Sequence, residues 1–587
     1  MTTYSILIIA PLLFAFSVLF GGLRVRNVLT VVFVLFLAGV SLTNIFLVSS
    51  STQILFSPLL HYLFILLDSI VLIYFLWQGV IKKHNLVTFF ALLQMMLYAA
   101  VVFFSSSITS SDILIDEISS TMYLVINIVG GIIIVYALGY IESEKFSRFK
   151  KNGFIALLFF FLSIMNFIVS TNNIEIFFLL FELTTLCSYI LIAYHGDEVS
   201  SENALKALWI NQIGGVAILI ALIVSITQYD TVYFDMLINN INELYLLPIV
   251  FLTIAAFVKG ASIPFDKWLL GAMVAPTPVS AMLHSATMVK IAPYLMLKLA
   301  PAMSGFVSLS ITLIGTFVFF SASLLALSKD YFKEILGLST IALLALMMAL
   351  AAIGTKEATT ACLVLIVFHA ISKALLFLQA AILEKSFNLK YVNDINGLIN
   401  HSPFVVLFIV VGFASLTLPP FGAFVAKFMA IESIANEIGN NPLYVLALIF
   451  IALGSVFLTL LYFKVLTKLL AKDVSQEKEI HVDIPKLFTV PSFALLALLV
   501  MGVYVLYEKE FLTTAQVFVP VVLIAVVPLL FATLLFKKAH RVKEYHCGEK
   551  EEPQLNMYYF EIARSYKMAI TVVATVLILV LILGAML

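Results

Sequence analysis

Cysteine and charge are what this sequence has least of. Three cysteines, Cys187, Cys362 and Cys547, are spread over 587 residues, and none forms a CxxC pair. Iron–sulfur clusters are generally held by about four clustered thiolates, so the chain carries no such cluster, and a disulfide framework is equally unsupported. Two of the cysteines read as apolar filler and the third as a loop thiol. Charged residues make up 11% of the chain, against about 25% in a soluble domain. The formal net charge is zero, which argues against nucleic acid as a partner. Long polar stretches are missing too. The longest, 385–403, 472–486 and 537–567, are too short for a catalytic domain, so any soluble chemistry coupled to the chain must sit on other subunits. The first apolar run, 4–23, lacks a basic start and a clear cleavage site; it reads as a span, not a cleaved signal.

What the chain has in abundance is apolar surface: 63% of its residues are hydrophobic and the mean hydropathy is +1.12. No soluble fold hides that much, so the expected class is an all-α polytopic membrane protein. The apolar runs are continuous, not alternating, which excludes a barrel. A spanning helix needs about 20 apolar residues. That ruler marks spans near 4–23, 28–49, 58–80, 86–107, 117–140, 153–171, 174–195, 207–228, 243–263, 271–299, 305–327, 333–353, 358–384, 404–435, 443–467, 487–506, 516–536 and 568–587, about eighteen in all. Basic loops alternate with them: Arg24 and Arg26, Lys82 and Lys83, Lys145 to Lys151, Lys329 and Lys333, and Lys537 to Lys543. Intervening loops are neutral or acidic, as at Asp112 and Asp116. The positive-inside rule then predicts an external N-terminus, and an even span count an external C-terminus.

Ionisable residues inside spans cost several kcal/mol and are functional candidates by default. Glu182 lies mid-span in IEIFFLLFELTTLCSYILI, and His369 and Lys373 stand four apart, on one helix face. Residues 257–290, FVKGASIPFDKWLLGAMVAPTPVSAMLHSATMVK, hold Lys259, Asp266, His284, Lys290 and three prolines. Lys427 follows Pro419, Pro420 and Gly422. Asp68, Glu432 and Lys464 have structural readings open to them: a satisfied carboxylate, a boundary charge and a snorkelling lysine. Glu182, Lys259 and Lys427 are too deep to snorkel. Two of these lysines sit beside helix breakers, Gly260/Pro264 and Pro419/Pro420. Broken helices at membrane depth persist only where they line a cavity or are buried in protein, and they recur at transporter ion sites. A desolvated lysine beside a movable carboxylate is a proton switch, because burial disfavours the ammonium and the carboxylate restores it.

The ordered motifs YALGYIESEKFSRF, FELTTLCSYILIAY, KGASIPFDKWLLGAM, APTPVSAMLHSATMVK, SKDYFKEILGLSTI, FHAISKALLFL and PPFGAFVAKF resemble the proton-translocating, antiporter-like subunits. These occur in respiratory complex I, in multisubunit sodium/proton antiporters and in energy-converting membrane hydrogenases. The resemblance covers roughly 112–470. It implies a proton pathway through Glu182, Lys259, His284, His369, Lys373 and Lys427, with Glu182 as an ion-pairing carboxylate for Lys259, His284 bridging, His369/Lys373 as central relay and Lys427 as exit. It also implies two inverted five-helix repeats, 153–299 and 305–467, preceded by N-terminal helices over 1–110 and a helix region 112–152, and followed by C-terminal helices over 487–587. No catalytic residue, metal site or cofactor is expected in this chain.

Two departures stand out. Two more spans precede the Asp116 helix than the family's usual two, and 537–567 could reach only about 45 Å as a helix, too short for a long lateral helix. PPFGAFVAKF and EYHCGEK look most like the large membrane subunit of energy-converting hydrogenases. The resemblance thus implies a pump module in a prokaryotic cell membrane. Its partners would be other membrane subunits and soluble iron–sulfur, nickel–iron or quinone-site subunits. The alternatives are a subunit of a multisubunit sodium/proton antiporter, a membrane partner in inorganic carbon uptake, or a scaffold whose buried charges only fix helix packing. Protons are favoured over sodium, because the inner spans show lysine and histidine where sodium would want hard oxygen ligands.

Overall fold

The computed structural model describes residues 3–47, 52–104, 110–240, 246–303, 305–470, 485–514, 516–517 and 562–586. The expected helical class holds: fourteen of the described helices are long and apolar enough to cross a membrane, and the chain is a multi-pass membrane protein. Two shorter apolar helices, Tyr4–Phe20 and Leu247–Lys259, join them. The expected count of about eighteen is not reached among the described residues. The reason is local. The span expected at 271–299 is split into short pieces, and most of 516–536 lies outside the described residues.

The chain opens with four helices, α1 (Thr3–Phe20), α2 (Leu23–Leu47), α3 (Pro58–Ile81) and α4 (Asn85–Phe104). In α3 and α4 the buried residues form narrow stripes: Asp68, Val71, Leu72, Phe75, Gln78 and Gly79 in one, Val87, Ala91, Gln94, Tyr98 and Val101 in the other. Spacings of three and four place each set on one helical face, and the opposite faces expose Leu66, Ile73, Trp77 and Leu92, as lipid contact requires. The stripes are half polar, so this hairpin brings more than grease to its neighbours α8 and α9.

Two short strands, β1 (Thr52–Ile54) and β2 (Ile113–Ile115), pair antiparallel. With Asp112, they tie down the end of the molecule predicted to be external. The Asp112 carboxylate accepts from the Phe56 amide at 2.8 Å and from Asn173 Nδ2 at 2.9 Å. The core helices follow: α5 (Glu117–Leu124) and α6 (Gly130–Glu142), joined by a π-turn at Val125–Val129, then α7 (Arg148–Ile168), α8 (Ile174–Ile192) and α9 (Glu198–Tyr229). Side chains cap their starts: Asp116 accepts from the Ser119 amide, Ser147 from Lys150, Asn173 from Glu175 and Asp197 from Ser200.

A short α10 (Phe234–Asn240) precedes the first broken helix, α11 (Leu247–Lys259) and α12 (Lys267–Gly271), with Gly260–Asp266 between them. Then come α13 (Thr277–Ala281), a π-turn at Met282–Ala286, a 3-10 turn at Met288–Lys290 and α14 (Ile291–Leu299). Next are α15 (Gly305–Leu327), α16 (Phe332–Ile353) and α17 (Lys356–Ser386). The second broken helix is α18 (Pro403–Thr417) and α19 (Gly422–Glu437); α20 (Tyr444–Leu470), α21 (Lys486–Glu508) and α22 (Arg564–Met586) complete the described chain. The span expected at 404–435 is therefore two half-helices meeting at Pro419–Pro420. Near the centre α16 is enclosed almost completely, while α22 is mostly exposed.

Candidate functional site

All six residues of the expected pathway are buried: Glu182, Lys259, His284, His369 and Lys373 at 0% exposure and Lys427 at 5%. Glu432, by contrast, is exposed. In α8, Glu182 Oε1 accepts from Gln94 Nε2 of α4 at 2.8 Å, while its Oε2 has no partner. The same Gln94 amide donates to the Gln212 carbonyl of α9 at 3.2 Å. Gly215 of α9 makes room for this, since a Cβ there would overlap both Glu182 Oε1 and Gln94 Nε2.

Lys259 is the last residue of α11. Its Nζ donates to the Phe181 carbonyl at 3.1 Å and to Thr185 Oγ1 at 2.9 Å, and lies 3.7 Å from the Phe181 ring centroid. It thus reaches the turn of α8 that carries Glu182 without touching the carboxylate. Among the described residues no ion pair joins the two; they act on each other through space. Where α11 stops, its end is satisfied from within. Trp268 Nε1 donates to the Val258 carbonyl at 2.9 Å, and the Ser262 amide to the Phe257 carbonyl at 2.9 Å.

The centre is a cluster of four. Lys290 Nζ lies 2.7 Å from His369 Nδ1, and His369 Nε2 has no partner. Lys373, one turn along α17, donates to Ser339 Oγ at 2.5 Å and to the Leu336 carbonyl at 3.1 Å, both on α16. His284 sits in the π-turn with neither ring nitrogen bonded, its ring 4.8 Å from that of Phe377. His284 and His369 lie within electrostatic reach of Lys373. The structure therefore brings together three residues of the expected relay and adds Lys290. That lysine stood in the quoted polar stretch but was absent from the expected pathway. The available signal was its position: a lysine inside an apolar run, twelve residues after Pro278.

Lys427 stands apart. It lines a groove of about 420 Å³ between α19 and α20, with Thr417, Phe424, Phe428, Ser455 and Thr459. It has no hydrogen-bond partner among the described residues. Lys464 does not snorkel. It is buried and donates to the carbonyls of Leu327 and Lys329 at 3.0 and 2.6 Å, capping the end of α15. Asp68 is only half satisfied: Oδ2 accepts from Tyr98 at 3.1 Å and Oδ1 is orphaned. Cys187 and Cys362 are free and buried; Cys547 and the EYHCGEK loop lie outside the described residues. Among the described residues, no group of three or more His, Cys, Asp or Glu side chains could hold a metal ion.

Two family models match this arrangement. Residues 171–459, which contain all six expected pathway residues, match the transmembrane region described as NADH:quinone oxidoreductase/Mrp antiporter. Residues 104–150 match the N-terminal region of chain 5 of NADH-ubiquinone oxidoreductase, complex I. The chain belongs to the complex I/Mrp antiporter-like family. Among curated relatives, the Na(+)/H(+) antiporter subunit A1 of Staphylococcus haemolyticus is 31% identical over 373 residues, covering 59% of this chain and 46% of that protein. The subunit A1 of Staphylococcus aureus is 30% identical over 374 residues, with the same coverage of each. The chain spans about half the length of the curated relatives it matches. The closeness to hydrogenase subunits expected from PPFGAFVAKF gains no support from these relatives. Four helices stand before the Asp116 helix, and one of them, α4, touches Glu182 through Gln94.

Proposed function

We propose that this chain is an ion-translocating membrane subunit of a multisubunit sodium/proton antiporter, working beside other membrane subunits and driven by an ion gradient. Its two halves, 153–299 and 305–467, would form successive half-channels. Protons would pass by way of Glu182, Lys259, His284, Lys290, His369, Lys373 and Lys427. The observation that carries this reading is the Lys290–His369 contact, 2.7 Å long and fully buried. A protonated Lys290 donates to a bare Nδ1. Once the lysine has lost its proton, the same geometry serves with the roles exchanged, Nδ1–H donating to a neutral amine. A proton taken at Nδ1 can leave from Nε2, which is unpartnered. The ring thus hands a proton across without rotating. The half-helices support the reading, because chain breaks at this depth are tolerated only inside protein or along a wet cavity.

The antiporter reading is preferred to a redox-driven pump because the named relatives are antiporter subunits. The test is proton flux in vesicles carrying the assembled complex. Lys259→Ala and Lys290→Ala should each lower flux at least about a hundredfold, the scale of a lost proton-transfer group, while the complex still co-purifies intact. Wild-type flux in both variants would leave the buried charges as packing devices and end the proposal.

A further inference from the structure

Several buried oxygens without partners gather on four neighbouring helices. Glu182 Oε2, Gln94 Oε1, Gln212 Oε1, Asn211 Oδ1 and Asp68 Oδ1 are all buried and all orphaned. They come from α3, α4, α8 and α9, which pack side by side. Gln94 ties three of these helices together, touching Glu182 of α8 and the Gln212 backbone of α9 from α4. One turn away on α4, Tyr98 holds Asp68 of α3, and the two carboxylates lie within electrostatic reach of each other.

The orientation of Gln94 is set by chemistry. Both of its close partners, a carboxylate oxygen and a backbone carbonyl, accept hydrogen bonds, so the amide nitrogen must face them and the amide oxygen turns away from them, buried and unpartnered. Buried polar atoms are nearly always partnered, and an orphan costs about 1–3 kcal/mol. Five such oxygens lie on four adjacent helices, a concentration of hard donors inside the protein.

We propose that the α3–α4 hairpin completes a binding site for a dehydrated alkali cation of sodium's size, formed by oxygens of Glu182, Gln94, Gln212 and Asp68. The donors are hard oxygens, which suit hard cations and not soft metals. Neutral amide oxygens substitute for a hydration shell, as carbonyl oxygens do in ion-selective filters. A monovalent ion fits better than a divalent one. The core supplies one carboxylate with amides, the second carboxylate is partly engaged by Tyr98, and the Lys259 ammonium reaches the same turn of α8. Asn211 precedes Gln212 on α9 and borders the site. Glu175, two turns before Glu182 on α8 and within electrostatic reach of Asp68, lies toward the end tied down by Asp112. Protons were preferred from the sequence because lysine and histidine fill the inner spans; amide oxygens such as those of Gln94 and Gln212 carry no charge to flag them.

This inference rests on the antiporter reading and places sodium beside the first proton station. Its test measures binding and flux separately on the intact complex. Binding of radioactive sodium to the purified complex should be half-saturated at least about tenfold higher in Gln94→Leu and in Asp68→Asn than in wild type, the usual cost of disturbing an ion's ligand shell. Gln94→Glu keeps a hard oxygen and adds charge, so it should bind within about threefold of wild type or more tightly, a rescue that packing alone does not predict. Complexes that elute intact yet bind sodium with wild-type half-saturation in both Gln94→Leu and Asp68→Asn would overturn the site. So would wild-type complex that binds no sodium above background. If sodium binding shifts as expected while Lys259→Ala carries normal proton flux, the site stands and the proton-pathway reading falls.

Discussion

At the residue scale, the expected pathway residues are all buried, but so are Asp68 and Lys464, for which the sequence left structural readings open. Glu182, Lys259, His369 and Lys373 were legible in the sequence, because a charge inside an apolar run has no bland location. Lys290 and Gln94 were not. Lys290 was quoted among the polar residues of 257–290 but lay inside a stretch that read as one apolar span, and glutamine carries no charge to flag it. Lys464 shows the opposite failure: a lysine near a span end looks free to snorkel, yet two carbonyls hold it. Outside the spans the clearest electrostatic contact is Asp116 with Lys298 at 2.5 Å. Burial alone would push the Asp116 carboxyl up. The Lys298 ammonium and the hydrogen bonds from the Ser119 amide and hydroxyl more than offset that, holding it below the usual carboxylate range. The sign follows from linkage. A depressed carboxylate pKa contributes stability that is complete above the ordinary value, near 3.9, and is lost as pH falls through the lower folded value. Lys298→Met should therefore melt about a degree below wild type at neutral pH. That gap should close as pH falls below about 4; a gap that persists in acid would show that Lys298 acts through packing.

At the element scale, the breaks were readable and the short pieces were not. Proline, glycine and lysine in close order announced both broken helices, and each stops where expected, at Lys259 and at Thr417. The region 271–299 read as one span because its composition is apolar throughout. Hydropathy does not register the π-turn that carries His284 or the 3-10 turn that ends at Lys290. Two glycines fix how elements meet. A Cβ at Gly422, the first residue of α19, would run into the Phe368 ring, the residue before His369. A Cβ at Gly215 would strike the Glu182–Gln94 contact itself. Alanine raises intrinsic helix stability by about 1 kcal/mol over glycine, so Gly215→Ala should leave α9 and the assembly intact while displacing the carboxylate. Proton flux at least about tenfold lower, in a complex purified at normal yield, is the expected result. Unchanged flux would mean that Glu182 tolerates displacement and that its exact position is not needed for transfer.

At the scale of the whole molecule, an enclosed core contrasts with an exposed edge. The core from α5 to α18 is well enclosed, but Phe424, Phe428, Leu453, Val456 and Phe463 are exposed on α19 and α20, and α22 is exposed along most of its length. Lipid accounts for apolar side chains there, yet it offers nothing to Lys427, whose groove is lined by those phenylalanines and by an orphaned Ser455 hydroxyl. An intramembrane ammonium without a partner is among the costliest groups a bilayer protein can carry. A lone chain would therefore be strained at this surface, and neighbouring membrane subunits relieve such strain by covering it. The three possible homes of the chain predict different company. A gradient-driven antiporter brings small apolar subunits and no redox metal. An energy-converting hydrogenase brings nickel and iron, and a complex I relative brings iron with flavin or quinone-site subunits. Gentle solubilisation and purification on this chain, followed by mass spectrometry and elemental analysis, should return apolar membrane subunits with nickel and iron below about one atom per complex, because clusters and their thiolate ligands come with dedicated subunits. Stoichiometric nickel would move the chain to the hydrogenase branch and replace the ion gradient by electron transfer as the driving force, leaving the Lys290–His369 relay in place.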